Sequence, residues 1–577
     1  IMNKYWENLS KRQIWKSFVA YPAAAFVLLQ AVEFFSNHLD LNPKFLTLSM
    51  ILLIGGFVIS VIWNWNHGEK GIQKITTVEK SAYGIVLALT VFSGAYYWTH
   101  SEVSTRYEAT DKDYAFNKLA VLPFENRSSD SSLVYLSDGI PENLINRISK
   151  NTDIQVLSRN STFILDESER NSESVKEKLG ADLMLSGRVE MVGDKLVVNC
   201  QLINLWEGVQ IWGEKMYYEN DNIVELEEQI VASLIRTFPS AIERESGKLI
   251  VEEPVDPEAK VHYMKGRALS YGSTQKEAER ALKHFRQAIE IDPDFAPAYV
   301  AIANEKIIQA MFSTASREEI FNEARTAVQT ALALNPNSSE AYYVDGAIKF
   351  YGEFNWDGAE ESYKKSIEIN PGNANAYIRY SAFLAAMKRF DESIVLADKA
   401  ISLDPISISS LHNLGWVHLL AGNFEKSEAA FSEALDLHPN WIWGYMKRGY
   451  ARMFQGKCEL AQADAARARE LTGEWSSELL ESVFIFIYSR CGNEEKRSEL
   501  TQKFLERVNE DNYKDPFAVF FVYYMKGDLD TALDWAERCL EDKEAGSYLF
   551  NADVFYTEDM LNHPRFIQIR KTLKFEN

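Results

Sequence analysis

Cysteine is scarce in this sequence. The 577 residues include only four cysteines, which lie far apart and form no Cys-x-x-Cys pair: Cys200, Cys458, Cys491 and Cys539. Small proteins that depend on a disulfide framework carry many closely spaced cysteines, so the sequence does not belong to that class. Cys539 occupies a small-residue position of a helical pattern described below, which predicts a buried core side chain.

Basic residues are also fewer than acidic ones, with 61 Lys and Arg against 83 Asp and Glu. The formal net charge is −22, although residues 1–100 hold eight Lys or Arg against five Asp or Glu. Nucleic-acid binding depends on clusters of Lys and Arg that neutralise phosphates, and the chain beyond residue 100 is strongly acidic. We therefore expect no nucleic-acid partner, and we interpret the acidity as a contribution to solubility.

The short motifs that mark common catalytic and cofactor sites are absent. The sequence has no P-loop, no Gly-x-Gly-x-x-Gly after a strand, no His-Glu-x-x-His and no Gly-x-Ser-x-Gly. His412 and His418 do not share a helical face, so they do not favour a zinc site. We predict no catalytic residue, no cofactor and no metal, and we expect that the protein is not an enzyme.

Five prolines recur at a nearly fixed interval in the second half of the chain: Pro293, Pro336, Pro371, Pro405 and Pro439. The first interval between successive prolines is the longest, and each of the other three is about 34 residues, a period that indicates stacked repeats. Each proline follows an Asp, Asn or His that ends a helical run. Proline lacks an N–H and restricts the residue before it, so a helix stops there.

The same phase recurs in the side chains before each proline. At fixed positions upstream, a small, a larger and a second small residue form a stripe on one helical face. These stripes are Ala281/Phe285/Ala288, Ala324/Val328/Ala331, Ala359/Tyr363/Ser366, Ser393/Ala397/Ala400 and Ser427/Phe431/Ala434. Small residues let antiparallel helices approach closely, and the larger residue fills the gap between them.

This pattern resembles the tetratricopeptide repeat (TPR) family, whose members share this period. The resemblance implies an all-α solenoid that serves as a protein-interaction scaffold. We place the solenoid at residues 251–577 and expect about eight helix pairs. The ending His563-Pro564-Arg565-Phe566 is expected to cap the solenoid.

Three apolar stretches open the chain, at about residues 18–35, 45–65 and 81–98. Each is near the roughly 20 residues that a membrane-spanning helix needs. Residues 1–100 are therefore predicted to form an anchor of three transmembrane helices. Lys and Arg number seven in the N-terminal tail and the 67–80 loop, against one in the loop between the first two spans. This bias predicts an inner (plasma) membrane protein with a cytoplasmic N-terminus, and with residues from about 101 onward in the periplasm.

Between the anchor and the repeats, short β-like runs alternate with helical patterns. We predict strands at 119–124, 154–157 and 210–216, a hairpin of 183–192 with 195–203, and helices at 133–150, 172–179 and 223–235. Gly180 is a natural helix C-cap. A small α/β domain at residues 101–250 follows from this pattern. The predicted fold class is therefore multidomain: a three-helix transmembrane anchor, a small α/β domain and an all-α TPR solenoid.

The α/β stretch resembles the TolB amino-terminal-like domain, which is related to FlgO. The residues that carry the resemblance are 120–126 (Ala-Val-Leu-Pro-Phe-Glu-Asn), 136–140 (Leu-Ser-Asp-Gly-Ile), 158–162 (Ser-Arg-Asn-Ser-Thr), 186–189 (Ser-Gly-Arg-Val) and 212–214 (Trp-Gly-Glu). The family typically lies between a membrane span and TPRs in bacterial proteins. Its relatives carry an N-terminal output module, whereas only a short tail precedes the first predicted span here.

Two polar groups in this domain have alternative interpretations. Asp138 and Glu142 could act as a catalytic acid pair, but carboxylates on a helix surface are usually just solvated. The run Ser158-Arg159-Asn160-Ser161 follows a strand, where ligands can bind in α/β folds, or it forms a turn capped by its own side chains.

The first helix of each repeat should line the concave face of the solenoid. By phase, this face presents a row of residues that suits a peptide or helix ligand, with Trp416 as its anchor. The predicted partner-binding residues are Tyr343, Ile378, His412, Trp416, Trp443, Met446 and Tyr450. The alternative is that each of these side chains simply packs between repeats.

The leading hypothesis is a membrane-anchored, non-enzymatic scaffold that binds protein partners, such as an integral membrane protein, through its TPR and α/β domains. Such a protein would be a subunit or accessory factor of a membrane complex. It would contact membrane lipid through its three spans, and homo-oligomers are compatible with it. The alternatives are an extracytoplasmic sensor that couples binding to the transmembrane helices, and an enzyme with an unrecognised site in the α/β domain.

Overall fold

A computed structural model describes residues 118–128, 134–152, 154–192, 195–219, 223–236, 255–270, 275–312, 317–472, 477–508 and 515–575, with scattered positions between 25 and 90. The chain divides into two compact units, Ile1–Tyr114 and Ala115–Asn577. The α/β domain and the helical repeats both belong to the second unit.

The first part of the second unit is a mixed α/β domain. Its elements are β1 (Lys118–Val121), β2 (Glu125–Asn126), α1 (Val134–Asn151), β3 (Gln155–Val156), α2 (Arg159–Thr162), α3 (Ser172–Leu179), β4 (Leu183–Val192), β5 (Lys195–Asn204), β6 (Val209–Glu219) and α4 (Ile223–Arg236). The strand order is β3-β1-β4-β5-β6, and β2 also pairs with β4. β3, β1 and β4 run parallel, whereas β4, β5 and β6 form an antiparallel meander.

Apolar side chains cover both faces of this sheet. One cluster joins Leu119 and Val121 of β1 to the buried stripe of α1, including Ile140 and Leu144. The opposite cluster includes Leu122 and the α3 side chains. Neighbouring side chains on a strand point to opposite faces, so a strand buried on both faces is apolar throughout. The predicted hairpin and helices are confirmed, and Gly180 ends α3 in the left-handed region at φ 60°.

Eight helix pairs follow in the described part of the second unit. The first, or inner, helices of the pairs are α5 (Pro257–Ser270), α7 (Ala296–Phe312), α9 (Ser339–Tyr351), α11 (Ala374–Ala386), α13 (Ile408–Leu420), α15 (Ile442–Phe454), α17 (Glu478–Arg490) and α19 (Pro516–Lys526). The outer helices are α6 (Gln275–Ile291), α8 (Arg317–Leu334), α10 (Trp356–Ile369), α12 (Phe390–Leu403), α14 (Phe424–Leu437), α16 (Cys458–Thr472), α18 (Glu494–Arg507) and α20 (Leu529–Glu541).

The predicted small–large–small stripes form the core of these pairs. Every residue of the five stripes is without exposed surface. At the pair α13/α14, a Cβ added to Gly415 would come within 2.8 Å of the Phe431 ring. The ring therefore fills the space that the missing side chain leaves, and the two helices can pack closely there. The stripe prediction is confirmed.

The last described part of the chain is a C-terminal segment, residues 545–575, that departs from the helix-pair pattern. It contains two short 3-10 helices, Ala545–Asn551 and Asp553–Phe555, followed by α21 (Glu558–Leu561) and α22 (Pro564–Thr572). Phe550 and Phe566 have no exposed surface. An ion pair between Arg317 at the start of α8 and Glu544 connects the second repeat to the start of this segment.

The predicted three-helix transmembrane anchor requires a correction, as does the inner-membrane, periplasm-facing localisation that was inferred from it. In the described part of the chain, no helix has both the length and the apolar character needed to cross a membrane. The longest described helices, α1 and α8, have 18 residues each and interleave charged or polar with apolar side chains. Most of residues 18–35, 45–65 and 81–98 lies outside the described residues.

A disulfide joins two neighbouring repeats. Cys458 is the first residue of α16 and Cys491 ends α17, and the two sulfurs are bonded across a separation of 33 residues. Cys200 and Cys539 are free and buried. The buried position of Cys539 agrees with the sequence prediction. The disulfide itself was not predicted, because its two cysteines are distant in the sequence and meet only when the repeats stack.

We predict that replacing both bonded cysteines, Cys458→Ser with Cys491→Ser, destabilises the C-terminal repeats by about 2–4 kcal/mol, because the bond restricts the unfolded chain. The measurement is urea unfolding of the wild type, with and without a reductant, and of the double variant. The double variant treated with the same reductant is the control, and its midpoint should not change. Equal midpoints for oxidised and reduced wild type would contradict the prediction.

Candidate functional site: the inner face of the solenoid

The seven predicted partner-binding residues lie on four inner helices in sequence. Tyr343 is on α9, Ile378 on α11, His412 and Trp416 on α13, and the other three, Trp443, Met446 and Tyr450, are on α15. Successive inner helices contact each other along this row. The residues therefore belong to one continuous surface, which we call the inner face.

The inner face is divided by burial into two groups. Trp416, Met446 and Tyr450 are 6 %, 0 % and 4 % exposed. Tyr343, Ile378, His412 and Trp443 are only half-buried. The two groups therefore differ in how much surface they can offer to a partner.

Phe555 of the C-terminal segment accounts for the burial of two members. Its ring stacks on Trp416 with centroids 5.9 Å apart and meets Tyr450 edge-on at 5.4 Å. It also contacts Phe486 of α17 and Phe521 of α19 at 6.0 and 6.3 Å. One aromatic side chain thus joins four successive inner helices from within the solenoid.

Other contacts fix the C-terminal segment along the turns that follow the inner helices. Tyr548 packs on Phe350 at the end of α9, with ring centroids 5.3 Å apart. The Asn551 side-chain amide donates to the carbonyl oxygen of Ala386 at 2.8 Å, at the end of α11. Asp553 accepts from Lys388 at 2.7 Å, in the turn after α11. The segment is therefore held by both apolar and polar contacts.

The end of the segment returns to the third repeat. The Trp356 indole nitrogen donates to the carbonyl oxygen of Leu573 at 2.6 Å, and its ring stacks on Phe575 with centroids 5.2 Å apart. An indole N–H that is buried requires an acceptor, and here the C-terminal segment provides it. The solenoid and the C-terminal segment thus form one packed unit.

The α/β domain contacts the opposite ends of the inner helices, at the loops that precede them. Ser161 donates its hydroxyl to Asp404 at 2.6 Å and accepts from the backbone N–H of Ile406 at 3.1 Å. The Asn160 amide also donates to Asp404, at 3.3 Å. Asp404 has no exposed surface, and burial raises the pKa of its carboxyl group. The polar run 158–161 is therefore one docking contact between the two domains.

The Ser158 side chain supports this contact in the way the turn interpretation predicted. Its oxygen accepts from the backbone N–H of Asn160 at 3.2 Å, so Ser158 caps the short helix α2. Its own backbone N–H donates to the carbonyl oxygen of Leu403, at the end of α12, at 3.0 Å. The run is a capped turn whose Asn160 and Ser161 side chains bind the solenoid.

The carboxylates considered as a catalytic pair are engaged with arginines. Arg267 of α5 donates to Glu142 at 2.9 Å, and Arg159 lies 3.3 Å from the other oxygen of Glu142. Arg159 also lies 3.4 Å from Asp138. Burial raises the pKa of Asp138, and Arg159 opposes that shift. These side chains form an ion-pair cluster that joins α1 to the first repeat.

Two cations on the inner face differ from this pattern. Arg379 of α11 and Lys447 of α15 are half-buried, and neither has an acidic partner or a hydrogen-bond acceptor in the part of the chain that the structure describes. The Lys447 ammonium group lies 3.5 Å from the centroid of the Trp416 ring and 5.8 Å from that of Tyr450. We call Arg379 and Lys447 the inner cation pair.

The electrostatics of this region follow from burial. Burial lowers the pKa of Lys447 to about 7. Burial also lowers the pKa of His412 to about 3, and the charges of Lys447 and Arg379 act in the same direction. His412 is therefore neutral at pH 7, and its position near both cations places all three side chains in one region of the inner face.

Sequence reasoning missed the inner cation pair, although a signal was present. Arg379, Asn413 and Lys447 follow one another at the repeat period of about 34 residues, so they occupy the same position in three successive repeats. Asn413, the middle residue of the three, has a hydrogen-bond partner within the solenoid, because its amide donates to the Ser381 hydroxyl at 2.6 Å. Extending the phase argument from apolar to charged residues would have identified the pair.

Comparisons with known proteins agree with the repeat architecture. The family model described as "Tetratricopeptide repeat" matches residues 259–295, and a second model of the same description matches residues 409–441. The chain therefore contains TPRs. Both matches lie in the solenoid, so the similarity of the α/β domain to the TolB amino-terminal-like family stays a prediction.

Curated relatives match only part of the chain. "Putative adenylate cyclase 3" of Rhizobium meliloti (strain 1021) is 26 % identical over 186 residues, which cover 32 % of this chain and 32 % of that protein. "Mitochondrial import receptor subunit TOM70" of Rattus norvegicus is 26 % identical over 160 residues, covering 28 % of this chain and 26 % of that protein. The chain thus spans about a third or less of these relatives.

Solved structures with related folds include PilW, described as a widely conserved type IV pilus biogenesis factor. It is 22 % identical, with a TM-score of 0.31, and the match covers 36 % of this chain and 96 % of PilW. YrrB, described as a TPR protein with an unusual peptide-binding site, is 22 % identical with a TM-score of 0.23, covering 32 % of this chain and 89 % of YrrB.

The position of Lys447 generates a prediction about stability. Its folded-state pKa of about 7 lies below the ordinary value of 10.5. The unfolded chain therefore binds this proton more tightly than the folded chain does. Burial of the protonated Lys447 side chain destabilises the fold in full below pH 7, and this destabilisation disappears as the pH rises towards 10.5. Lys447→Met should raise the free energy of unfolding at pH 7 by about 1–2 kcal/mol, because it removes a charge that lacks an acidic partner.

The measurement is urea unfolding of wild type and variant at pH 6.5 and pH 9.5. The gain should be smaller at the higher pH. Lys426→Met, on the exposed surface of α14, is the matched control and should change stability little at either pH. A Lys447→Met protein that is less stable than wild type at pH 6.5 would show that the cation stabilises the fold.

Proposed function

We propose that this protein is a non-enzymatic scaffold that binds a partner polypeptide through the half-buried part of the inner face. The single observation that carries the proposal is the division of that face. The C-terminal segment covers Trp416 and Tyr450, while Tyr343, Ile378, His412 and Trp443 keep part of their surface. Aromatic and apolar side chains in a concave surface are suited to anchoring a peptide or helix.

The neighbouring domains support this choice of surface. The α/β domain contacts the loops before the inner helices, and the C-terminal segment contacts the turns after them. A partner on the inner face would therefore lie between two fixed boundaries. Preorganised boundaries reduce the conformational entropy that binding would otherwise cost.

The remaining assignments belong to the same proposal. We assign residues 101–250 to an α/β domain similar to the TolB amino-terminal-like family and residues 251–577 to the TPR solenoid. In this assignment the α/β domain acts with the solenoid as one binding body, because Asp404 and Glu142 join the two through buried polar contacts. The ion pairs of Glu142 and Asp138 favour a structural role for these carboxylates over a catalytic one.

We predict that Trp443→Ala weakens partner capture at least about 30-fold, the effect of losing an aromatic anchor worth about 2 kcal/mol. The measurement is quantitative affinity purification with the full chain as bait, in which proteins retained by wild type are compared with those retained by the variant. Trp206→Ala is the control, because Trp206 is 43 % exposed, belongs to the α/β domain and is not one of the inner-face residues. Unchanged capture by Trp443→Ala would contradict the proposed site.

Trp416→Ala should behave differently, because its ring is buried against Phe555. We predict that it lowers the free energy of unfolding by about 3–5 kcal/mol, the usual cost of truncating a large buried aromatic side chain. The measurement is a urea unfolding curve beside that of Trp443→Ala, whose midpoint should shift less. A Trp416→Ala midpoint equal to that of wild type would mean that the C-terminal segment does not pack on this ring.

A further inference from the structure

Two histidines face each other in the first helix pair. His262 of α5 and His284 of α6 have their Nδ1 atoms 3.2 Å apart and their ring centroids 5.4 Å apart. They are 22 positions apart in the sequence, so no short ligand motif reveals them. Both side chains are half-buried and keep part of their surface in solvent. A hydrogen bond between two imidazoles needs a proton on one Nδ1 and a lone pair on the other, so one proton lies between two potential metal ligands.

The distance between the two nitrogens is the distance expected around a metal ion. Imidazole nitrogens bind Zn²⁺ at about 2.0–2.1 Å, so two of them at ordinary coordination angles lie about 2.9–3.4 Å apart. The observed separation of 3.2 Å falls inside this range. An ion can therefore replace the shared proton with little movement of either helix. The donor ring then carries its proton on Nε2, and both rings stay neutral.

The surroundings keep both imidazoles in the neutral form that binds metals. Burial lowers the pKa of His262 and of His284 below the ordinary value of 6.5. Three cations of the same two helices lower the pKa of one or both rings further: Lys265, Arg280 and Lys283. Glu258 and a hydrogen bond with Gln287 oppose the shift at His262. At pH 7 a metal ion therefore competes little with protons for these rings.

We propose that His262 and His284 together bind one divalent transition-metal ion, such as Zn²⁺. The residue type decides the class of ion, because neutral imidazole suits Zn²⁺, Ni²⁺ and Cu²⁺, whereas Mg²⁺ and Ca²⁺ prefer oxygen ligands. In the part of the chain that the structure describes, no group of three or more His, Cys, Asp or Glu side chains could hold a metal. Water would therefore complete the coordination. With two protein ligands and cations nearby, the site is weaker than a four-ligand structural zinc site.

Such an ion would join α5 to α6 in the helix pair that contacts the α/β domain. Arg267, on the same helix as His262, donates to Glu142 of that domain at 2.9 Å. A ligand that binds the folded chain and not the unfolded one stabilises the fold. The ion would therefore stabilise the first repeat beside this junction. The site uses none of the inner-face residues, so the inference is independent of the proposed partner binding.

The experiment is isothermal titration calorimetry of the full-length chain with ZnCl₂, after treatment with a chelator. Wild type is compared with His262→Gln, His284→Gln and the double variant. His438→Gln is the matched control, because His438 is a half-buried histidine at the end of α14. MgCl₂ controls for cation binding by the acidic surface of the chain. Circular dichroism melts with and without Zn²⁺ establish that each variant is folded and report stabilisation.

We expect wild type to bind a Zn²⁺ ion that each single variant binds at least about tenfold more weakly, because each variant loses the second ligand of a chelate. The double variant should bind about as weakly as either single variant, since one substitution already removes the shared site. Zn²⁺ should raise the melting temperature of wild type and of His438→Gln, but not of the other variants. In wild type, Zn²⁺ should also protect both rings from diethyl pyrocarbonate, as read by peptide mass spectrometry.

Three results would overturn the inference. Wild type that binds no Zn²⁺ at millimolar concentrations would exclude the site. Zn²⁺ affinity that is equal in wild type and in both single variants would place the ion elsewhere. A loss in only one single variant, with protection of only one ring, would show that one imidazole binds the ion without the other.

Discussion

Close contact between paired helices, made in the same register in every repeat, is the constraint on which the rest of this structure depends. The contact requires small residues such as Ala434 and Gly415 where two helices meet, and a ring such as Phe431 to fill the space between them. Because the register repeats, each inner helix lies beside the next, and equivalent positions line one surface. The inner face, its aromatic residues and its cations are consequences of this repetition.

Two parts of the chain that are not repeats then shape that face. The α/β domain holds the loops before the inner helices through the buried Asp404. The C-terminal segment holds the end of α11 through Asn551 and packs Phe555 against rings of the inner helices. A solenoid made of repeats alone would leave its whole concave surface accessible to a partner. Here the additional contacts cover the Trp416 and Tyr450 side and leave the Tyr343 and Trp443 side partly accessible.

The sequence predicted local features well and long-range contacts poorly, for a physical reason. The stripes, the hairpin of β4 and β5 and the Gly180 cap depend on spacings within a few residues, which periodicity reveals directly. The contact of Ser161 with Asp404 spans 243 positions, and the burial of Trp416 depends on Phe555 far along the chain. Nothing in the neighbourhood of Trp416 distinguishes a ring that a partner would cover from one that the chain itself covers. The membrane anchor is the opposite case. The length of the apolar stretches alone predicted membrane-spanning helices, but no described helix is long and apolar enough to be one.

In the proposed function, the C-terminal segment is a fixed part of the inner face and thereby decides which residues a partner can reach. Amide hydrogen exchange of the full chain under native conditions tests it most directly. We expect residues 545–556 to exchange about as slowly as α13 and α15, because Phe550, Phe555 and Tyr556 of this stretch are buried against the inner helices. Exchange of this stretch within seconds, at the rate of an unstructured peptide, would contradict this arrangement and would mean that Trp416 and Tyr450 are accessible.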